Sequence, residues 1–414
     1  MHIEEIGVSI SFFVCCEIGM KRAKDLYNKI TDIQNLHFAC DCASRGKRKR
    51  KSVQRFLSDK EKKLHFLHEL LVTEKYHPVS YNKKTIVDRC TNKIREIYIP
   101  RFYPDQIVQW ALMIVIKPIL MKGMYDFSCA SVDGRGGLYG VRAVEKWLKM
   151  DEHHTKYCLV GDVKKFYPSV NQEILIKKFE RKIKDQKTLG LIEKIVHSVP
   201  SGLPIGNFTS QWFANFYLQD FDHFVKEELK IKHYIRYMDD IVFFSSNKRK
   251  LSKQRVEIQK YLENEGLTLK PNWQVFRVAS EKGDGRPLDF LGYKFYRNYT
   301  TMRGKTFLRT TRRIRKVAKK EYITAKDASA IMSYSARIKV ASGNKFYDKY
   351  LKPYVNLKRC RIAISIHDKK KAEESKNSIW CSFCCKPQKH RRTFVFAPIS
   401  RQTQIALHWR FGES

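Results

Sequence analysis

The sequence predicts an α+β fold in which helices pack against an antiparallel sheet. Tyr157–Val163 is an apolar strand with one acidic residue, Asp162, near its end, and Tyr234–Phe244 has the pattern of two strands joined by a short turn. Helical patterns separate these segments. Hydrophobic residues make up 43% of the 414 residues, which is enough for a full core in one large multi-lobed unit or in two to three domains.

The N-terminal 150 residues favour helices interrupted by one pair of strands. The basic run Arg45–Lys51 interrupts the first helical region and either contacts phosphate or forms a solvated loop. The expected elements, in chain order, are helices within 20–75 with one running from a cap at Ser58 to about Thr73, strands around Thr85–Val87 and Arg95–Ile99 joined by a turn at Asp88–Lys93, a helix that starts at Pro104, and a helix from about Val141 to Met150.

Strands and helices alternate through the next 150 residues, and a basic helical region follows. The expected elements are strand Tyr157–Val163, a turn at Pro168, helix 171–184, a loop at Gly202–Gly206, helix Ser210–Glu228, the strand pair Tyr234–Phe244, helix Lys248–Asn264, strands near Gln274–Val278 and Asp289–Tyr296, and helices within 306–365. Residues after about Lys369 have little pattern.

The net charge is strongly positive. The chain has 81 Lys and Arg against 42 Asp and Glu, a formal charge of +39. Such an excess favours a polyanionic partner, because cations that contact phosphates release condensed counterions. A solvated basic surface is the plain alternative.

Cellular location is inferred from the cysteines and from hydropathy. Eleven scattered cysteines favour a reducing compartment over a disulfide framework. The apolar stretch Ile6–Val14 is too short to span a bilayer and makes a poor signal peptide. We expect a cytoplasmic protein without membrane segments, and residues 1–19 are a candidate extension ahead of a start at Met20.

Two acidic motifs carry the chemistry. Asp239 and Asp240 are adjacent between two apolar strands, and we expect a two-residue turn to place both at an exposed tip. Alone, this pattern fits an ordinary acidic turn. Asp162 ends another apolar strand, and if the two strands are neighbours, three carboxylates converge. Such oxygen ligands suit Mg²⁺, or Mn²⁺, and two metal ions can drive phosphoryl transfer on a nucleic acid.

The order of the motifs resembles that of reverse transcriptases over roughly residues 80–300. Asp162–Tyr167 resembles the first palm motif, and Tyr237–Asp240 is similar to the metal motif. Gly202–Gly206 with Ser210 and Gln211 resembles the template- and nucleotide-packing motif, and Leu288–Tyr293 resembles the primer grip.

The resemblance implies a right-hand polymerase that makes DNA on an RNA template. It implies fingers and N-terminal helices at 20–150, a palm at 151–300 with fingers elements inserted at 171–215, a basic helical thumb at 301–366 and a tail at 367–414. The expected partners are template RNA, the RNA–DNA duplex, deoxynucleoside triphosphates (dNTPs) and a small basic accessory protein.

The resemblance also implies roles for individual residues. Tyr167 would exclude a 2′-hydroxyl, and Lys270 would protonate pyrophosphate. The implied catalytic residues are Asp162, Asp239, Asp240 and Lys270; the metal ligands are Asp162, Val163, Asp239 and Asp240; and the nucleotide-binding residues are Lys93, Arg95, Lys165, Phe166, Tyr167, Ile205, Gly206 and Gln211.

Ile205 points to a subclass. Many relatives have Gln at this point of the motif, and Ile205–Gln211 resembles the version found in diversity-generating retroelements, which copy their template with errors opposite adenine. Losing an amide removes a hydrogen bond that would fix nucleotide and template. The alternatives are a reverse transcriptase of a bacterial antiphage defence system and a catalytically silent RNA-binding protein on the same fold.

A cysteine-rich segment lies in the C-terminal tail. Cys381, Cys384, Cys385 and His390 offer part of a zinc ligand set. A structural zinc site usually combines two separated pairs of ligands, and the spacing here is irregular. The pattern favours reduced thiols over a zinc site.

Overall fold

The computed structural model describes residues 22–87, 94–341 and 344–369. The Met20 start, the turn with Lys93 and the cysteine-rich tail lie outside the described residues, and those expectations stay predictions. Of the described residues, those up to 307 together with 340 and 341 form one compact unit, and residues 308–339 with 344–369 form a second.

The first unit begins with helices that precede an antiparallel hairpin. In the hairpin, Asn82 is paired with Ile99 and Val87 with Ile94, as the alternating pattern predicts. The elements are α1 (Tyr27–Thr31), α2 (Ile33–Ser44), α3 (Lys51–Leu57), α4 (Lys60–Val72), β1 (Asn82–Val87), β2 (Ile94–Ile99), α5 (Ile107–Met121) and α6 (Gly137–Met150).

A four-stranded antiparallel sheet lies at the centre of the first unit. Its order is β4–β5–β3–β6, so β3 and β5 each have two neighbours. The strands are β3 (Tyr157–Asp162), β4 (Tyr234–Tyr237), β5 (Asp240–Ser245) and β6 (Gln274–Arg277).

The central strands are apolar on both faces because helices cover both sides of the sheet. Leu159 and Phe243 belong to the larger buried cluster, whereas Cys158, Val242 and Phe244 belong to the smaller one. Successive side chains of a strand point to opposite faces. This explains why these strands are continuous apolar runs.

Helices join the strands of this sheet. The expected helix Ser210–Glu228 is two successive helices followed by a π turn, Phe224–Glu228. The helices are α7 (Phe166–Ser169), α8 (Gln172–Lys182), α9 (Gln186–Val196), α10 (Phe208–Tyr217), α11 (Gln219–His223) and α12 (Lys248–Asn264).

A separate three-stranded sheet follows, made of β7 (Leu288–Phe290), β8 (Tyr293–Phe295) and β9 (Thr300–Met302). The expectation of one strand at Asp289–Tyr296 is wrong. Leu291 and Gly292 have φ values of +52° and +90° and form a two-residue hairpin turn between β7 and β8. Positive φ at both central residues matches the right-handed twist of the flanking strands.

The second unit is helical, as the basic pattern predicts. Thr324 directly precedes the helix Ala325–Val340 and caps its N-terminus. The Thr324 hydroxyl accepts a hydrogen bond from the Asp327 N–H and donates one to the Asp327 carboxylate. Asp327 also pairs with Arg313 and Lys320. The helices in this part of the chain are α13 (Gly304–Ala318), α14 (Ala325–Val340), α15 (Asn344–Tyr350) and residues 357–369. Across the described ranges, no helix is both long enough and apolar enough to cross a bilayer.

Candidate active site

The acidic hairpin differs from its expected form in one respect. Tyr237 ends β4 and is paired with Asp240, the first residue of β5. The two turn residues are therefore Met238 and Asp239, and the expectation that both acids occupy the turn is wrong. Met238 has a φ of +55° and is buried, so its side chain anchors the turn.

Pairing of β3 with β5 brings the second acidic motif to the hairpin. Asp162 is the register partner of Asp240. The Val163 N–H donates to the Asp239 carbonyl at 3.0 Å, which ties the turn to the end of β3. The three aspartates that the sequence singled out therefore lie at one end of the central sheet.

Lys270 reaches the same end from the segment before β6. Its N–H donates to the Asp162 carbonyl at 2.8 Å, and its ammonium forms an ion pair with the Asp162 carboxylate. The structure thus places all four candidate catalytic residues together.

The carboxylates repel one another. Partial desolvation by the surrounding protein is the largest cause that raises the pKa of Asp240 to about 6. Repulsion by Asp239 and Asp162 adds to the rise, and Lys270 opposes it. Asp240 is nevertheless exposed at the surface, so its carboxylate keeps contact with water. Burial and then Asp162 raise the pKa of Asp239, and Lys270 and Arg95 act in the opposite direction. Cations near these oxygens would therefore stabilise the charged forms.

The donor set fits hard divalent cations, which prefer carboxylate and carbonyl oxygens. Asp162, Asp239, Asp240 and the Val163 carbonyl are the candidate ligands. Within residues 22–87, 94–341 and 344–369, no three His, Cys, Asp or Glu side chains are close enough to form a ready-made metal cluster. The Asp162 carboxylate is neutralised by Lys270 instead.

A strained turn follows β3. Lys165 has a φ of +47°, a left-handed conformation that is unusual for lysine, and it starts the short helix α7. The Phe166 ring is buried, so that residue offers only its backbone to a ligand. Tyr167 is half-buried, and burial and then Asp239 raise the pKa of its hydroxyl to about 12.

A cleft of about 540 Å³ gathers five of the predicted nucleotide-binding residues. Its lining includes Arg95, Tyr167, Ile205, Gly206 and Gln211, which come from three separate segments. The order of the sequence motifs predicts these residues. Their presence in one cleft supports the nucleotide-binding assignment.

Close backbone packing builds one wall of this cleft. The Tyr98 N–H donates to the Ile205 carbonyl at 2.8 Å, which ties β2 to the following loop. Gly206 has a φ of +128°, and a Cβ there would lie 2.2 Å from the Tyr98 carbonyl oxygen. Only glycine fits this position without displacing β2.

The cleft also contains residues that the sequence did not single out for nucleotide binding. Trp110 and Phe208 stack with ring centroids 4.0 Å apart, and the Gln109 side chain accepts from the Phe208 N–H at 3.1 Å. Lys47 and Arg50 belong to the basic run 45–51, for which phosphate contact is one of two interpretations. Other residues that line the cleft include Lys47, Arg50, Gln109, Trp110, Asn207 and Phe208.

A fully buried ion pair lies behind the acidic hairpin. Arg236, three residues before Asp239, donates to both carboxylate oxygens of Asp222 at 2.9 and 2.6 Å. Its third contact is with Asn215 at 3.0 Å, and Tyr234 donates its hydroxyl to Asp222 at 2.8 Å. These side-chain contacts tie β4 to α10 and α11.

Comparison with known families identifies the chain. The family model described as reverse transcriptase (RNA-dependent DNA polymerase) matches residues 81–295, more than half of the sequence. The chain belongs to the reverse transcriptase family. The match confirms the resemblance inferred from motif order, and the fold agrees with the predicted α+β class. All three aspartates and Lys270 lie inside the reverse transcriptase region, whereas Lys47 and Arg50 precede it.

Two curated relatives are similar to this chain in sequence, and one solved structure is similar to it in fold. The group II intron-encoded protein LtrA of Lactococcus lactis is 28% identical over 182 residues, covering 42% of this chain and 29% of LtrA. The retron Ec73 reverse transcriptase of Escherichia coli is 27% identical over 215 residues, covering 49% of this chain and 65% of the relative. The chain thus spans less than two thirds of either relative. An apo telomerase structure from Candida tropicalis aligns with a TM-score of 0.44 and 13% identity, covering 76% of this chain and 61% of that one.

Proposed function

We propose that this chain is an RNA-directed DNA polymerase that extends a primer with deoxynucleotides. The observation that carries the proposal is the register of Asp162 with Asp240, with Asp239 in the adjoining turn. A carboxylate set at one end of a sheet, in a chain of charge +39, suits phosphoryl transfer on a nucleic acid.

The chain's own residues have distinct roles in this mechanism. Asp162, Asp239, Asp240 and the Val163 carbonyl would hold two divalent cations, Mg²⁺ or Mn²⁺. Such ions would supply Lewis-acid activation of the primer 3′-hydroxyl and positive charge to offset that of the leaving pyrophosphate. Lys270 is held beside Asp162, which makes it a candidate for protonating pyrophosphate.

Other residues would bind and select the nucleotide. Arg95 would neutralise the triphosphate, and two observations support this role: it lines the cleft and acts electrostatically on Asp239. The backbone of Lys165, Phe166 and Tyr167, which follows the left-handed turn at Lys165, would approach the triphosphate. The Tyr167 ring would exclude a 2′-hydroxyl, and Gln211, in the first turn of α10, would contact the nucleotide.

The larger divisions of the chain are part of the proposal. Residues 20–150 would form the N-terminal helices and the fingers, residues 151–300 the palm with fingers elements at 171–215, and residues 301–366 the thumb. The basic helices of the thumb would hold an RNA–DNA duplex through its phosphates, independent of sequence. Template RNA, the duplex and dNTPs are the proposed partners.

Ile205 supports a narrower assignment to a diversity-generating retroelement. Its side chain lines the cleft where many relatives have an amide. Without that hydrogen bond, mismatched nucleotides are discriminated less strictly. Such an enzyme would work with a small basic accessory protein. The test is the error spectrum of Ile205→Gln: errors opposite adenine should fall, and an unchanged spectrum would remove this explanation.

Primer extension tests the polymerase proposal. The assay supplies an RNA template, a DNA primer, dNTPs and Mg²⁺, with the double variant Asp239→Ala/Asp240→Ala as control. Wild-type protein should extend the primer, and the variant should bind the same duplex without extending it. Binding without incorporation by the wild type would instead indicate a silent RNA-binding protein.

A further inference from the structure

Asn207 occupies a capping position without capping its helix. It directly precedes α10, where an Asn side chain ordinarily accepts from the backbone N–H groups of the first turn. The Asn207 side chain makes no such bond. Gln109 takes the first N–H of α10 instead, because its side-chain oxygen accepts from Phe208. Helix capping therefore does not account for the amide of Asn207.

A chain of hydrogen bonds fixes the orientation of that amide. The Ser198 hydroxyl donates to the Ile195 carbonyl at 2.6 Å, so its oxygen is the acceptor for the Tyr81 hydroxyl at 2.7 Å. A hydroxyl has one proton, so the Tyr81 oxygen can only accept from Asn207, at 2.7 Å. The group that faces Tyr81 is therefore Nδ2, and Oδ1 is directed elsewhere.

The remaining oxygen is a buried acceptor. Asn207 is 3% exposed, and in the part of the chain that the structure describes its Oδ1 has no hydrogen-bond partner. Leaving such an atom unsatisfied is unfavourable, and buried polar atoms normally have a partner. Asn207 also lines the cleft that contains Arg95, Tyr167 and Ile205. The residue that carries this acceptor is therefore part of the wall of the proposed nucleotide site.

We infer that Asn207 Oδ1 accepts a hydrogen bond from a donor group on the incoming nucleotide. Two groups on a deoxynucleotide have this chemistry: the 3′-hydroxyl of the sugar and the N–H groups of the base. Because Ile205 is apolar, Asn207 supplies a polar contact that residue 205 cannot make. Tyr81 and Ser198 are positioning residues, which act by orienting the amide. The inference rests on the proposed polymerase function and names a specificity-determining residue within it.

Nucleotide binding without chemistry tests the inference. A template–primer whose primer ends in a dideoxynucleotide forms a ternary complex but cannot be extended. The dissociation constants of the four dNTPs and of the matching dideoxynucleoside triphosphates (ddNTPs) are measured in Mg²⁺ for wild type and for Asn207→Ala. Losing one neutral hydrogen bond should weaken binding about fivefold.

The pattern of losses identifies the donor. If the sugar hydroxyl donates, Asn207→Ala weakens all four dNTPs, leaves ddNTPs unchanged and removes the wild-type preference for dNTPs. If the base donates, the loss affects particular bases, equally in the dNTP and ddNTP series. Dissociation constants that stay within about twofold of wild type for every nucleotide would overturn the inference.

Two further variants control for folding. Asn247 is also an N-cap residue, but it accepts from the Arg249 and Lys250 N–H groups and does not line the cleft. Asn247→Ala should lower the melting temperature and leave nucleotide binding unchanged. If Asn207→Ala does not fold, Tyr81→Phe replaces it, because this variant keeps the amide but frees it from its fixed orientation. A smaller loss with the same pattern is expected, and unchanged binding contradicts the inference.

The two proposals fail differently. If wild type extends a normal primer and Asn207→Ala binds every nucleotide as wild type does, only the role of Asn207 is lost. If wild type binds nucleotides with the predicted dependence on Asn207 but never extends a primer, only the polymerase function is lost. A wild-type chain that binds no nucleotide overturns both.

Discussion

Removing Asp222 should destabilise the first unit severely. The carboxylate is fully buried and accepts three hydrogen bonds, two from the Arg236 guanidinium and one from the Tyr234 hydroxyl. Asp222→Ala leaves a guanidinium without a counter-charge in the interior, which costs about 3–5 kcal/mol. The expected loss is therefore a large part of the total stability of a typical domain.

Equilibrium urea unfolding, followed by tryptophan fluorescence, measures the effect. The exposed pair between Arg135 and Asp126 gives a matched control, because Asp126→Ala should cost less than about 1 kcal/mol. The double variant Asp222→Leu/Arg236→Met should be more stable than Asp222→Leu alone, since both buried charges are then removed. A loss below about 1 kcal/mol for Asp222→Ala would refute the view that this pair holds β4 and the acidic turn in place.

Three further predictions concern single residues. Gly206→Ala should lower the free energy of unfolding by about 1–3 kcal/mol because of the positive φ alone, and it should weaken dNTP binding because the new Cβ displaces Tyr98. The control is Gly190→Ala in α9, where an added Cβ would have no neighbouring atom within 4 Å, so this variant should raise the free energy of unfolding by up to about 1 kcal/mol. Urea unfolding and nucleotide titration measure both variants. Tyr167→Ala should lower the preference for deoxynucleotides over ribonucleotides by about 10- to 200-fold in competitive incorporation, and an unchanged ratio would rule out its gating role. Asp327→Ala should destabilise the second unit by about 1–3 kcal/mol, seen as faster amide hydrogen exchange in α14; equal exchange would contradict the role of its ion pairs.

The central strands and the acidic hairpin were predictable from the sequence. One apolar run of strand length ends at Asp162, and two more lie on either side of Asp239. This pattern predicts strands. The exact turn was not predictable. Acidic residues favour turns, and a methionine with positive φ is unusual, so local preferences pointed to Asp239 and Asp240 as the turn pair. Burial of Met238 and the pairing of Asp240 with Asp162 decide the register, and both depend on the tertiary structure.

The nucleotide cleft was predictable only in part. The order of the motifs predicted that Arg95, Tyr167 and Ile205 bind nucleotide, because each lies in a short segment with a characteristic pattern. Asn207 was missed, since its orientation depends on Tyr81 and Ser198, which come from segments more than 100 residues apart. No local pattern contains that information. The assignment to a diversity-generating retroelement stays a prediction.

Single-turnover incorporation of one deoxynucleotide opposite a defined RNA base tests the central claim most directly. Wild type should add the complementary nucleotide in the presence of Mg²⁺ or Mn²⁺. Asp162→Asn should bind the same template–primer but incorporate at least about 1,000-fold more slowly, because a charged metal ligand is lost. Incorporation by Asp162→Asn at the wild-type rate, or the absence of any templated incorporation by wild type on a bound duplex, would contradict the proposal that these aspartates carry out nucleotide transfer.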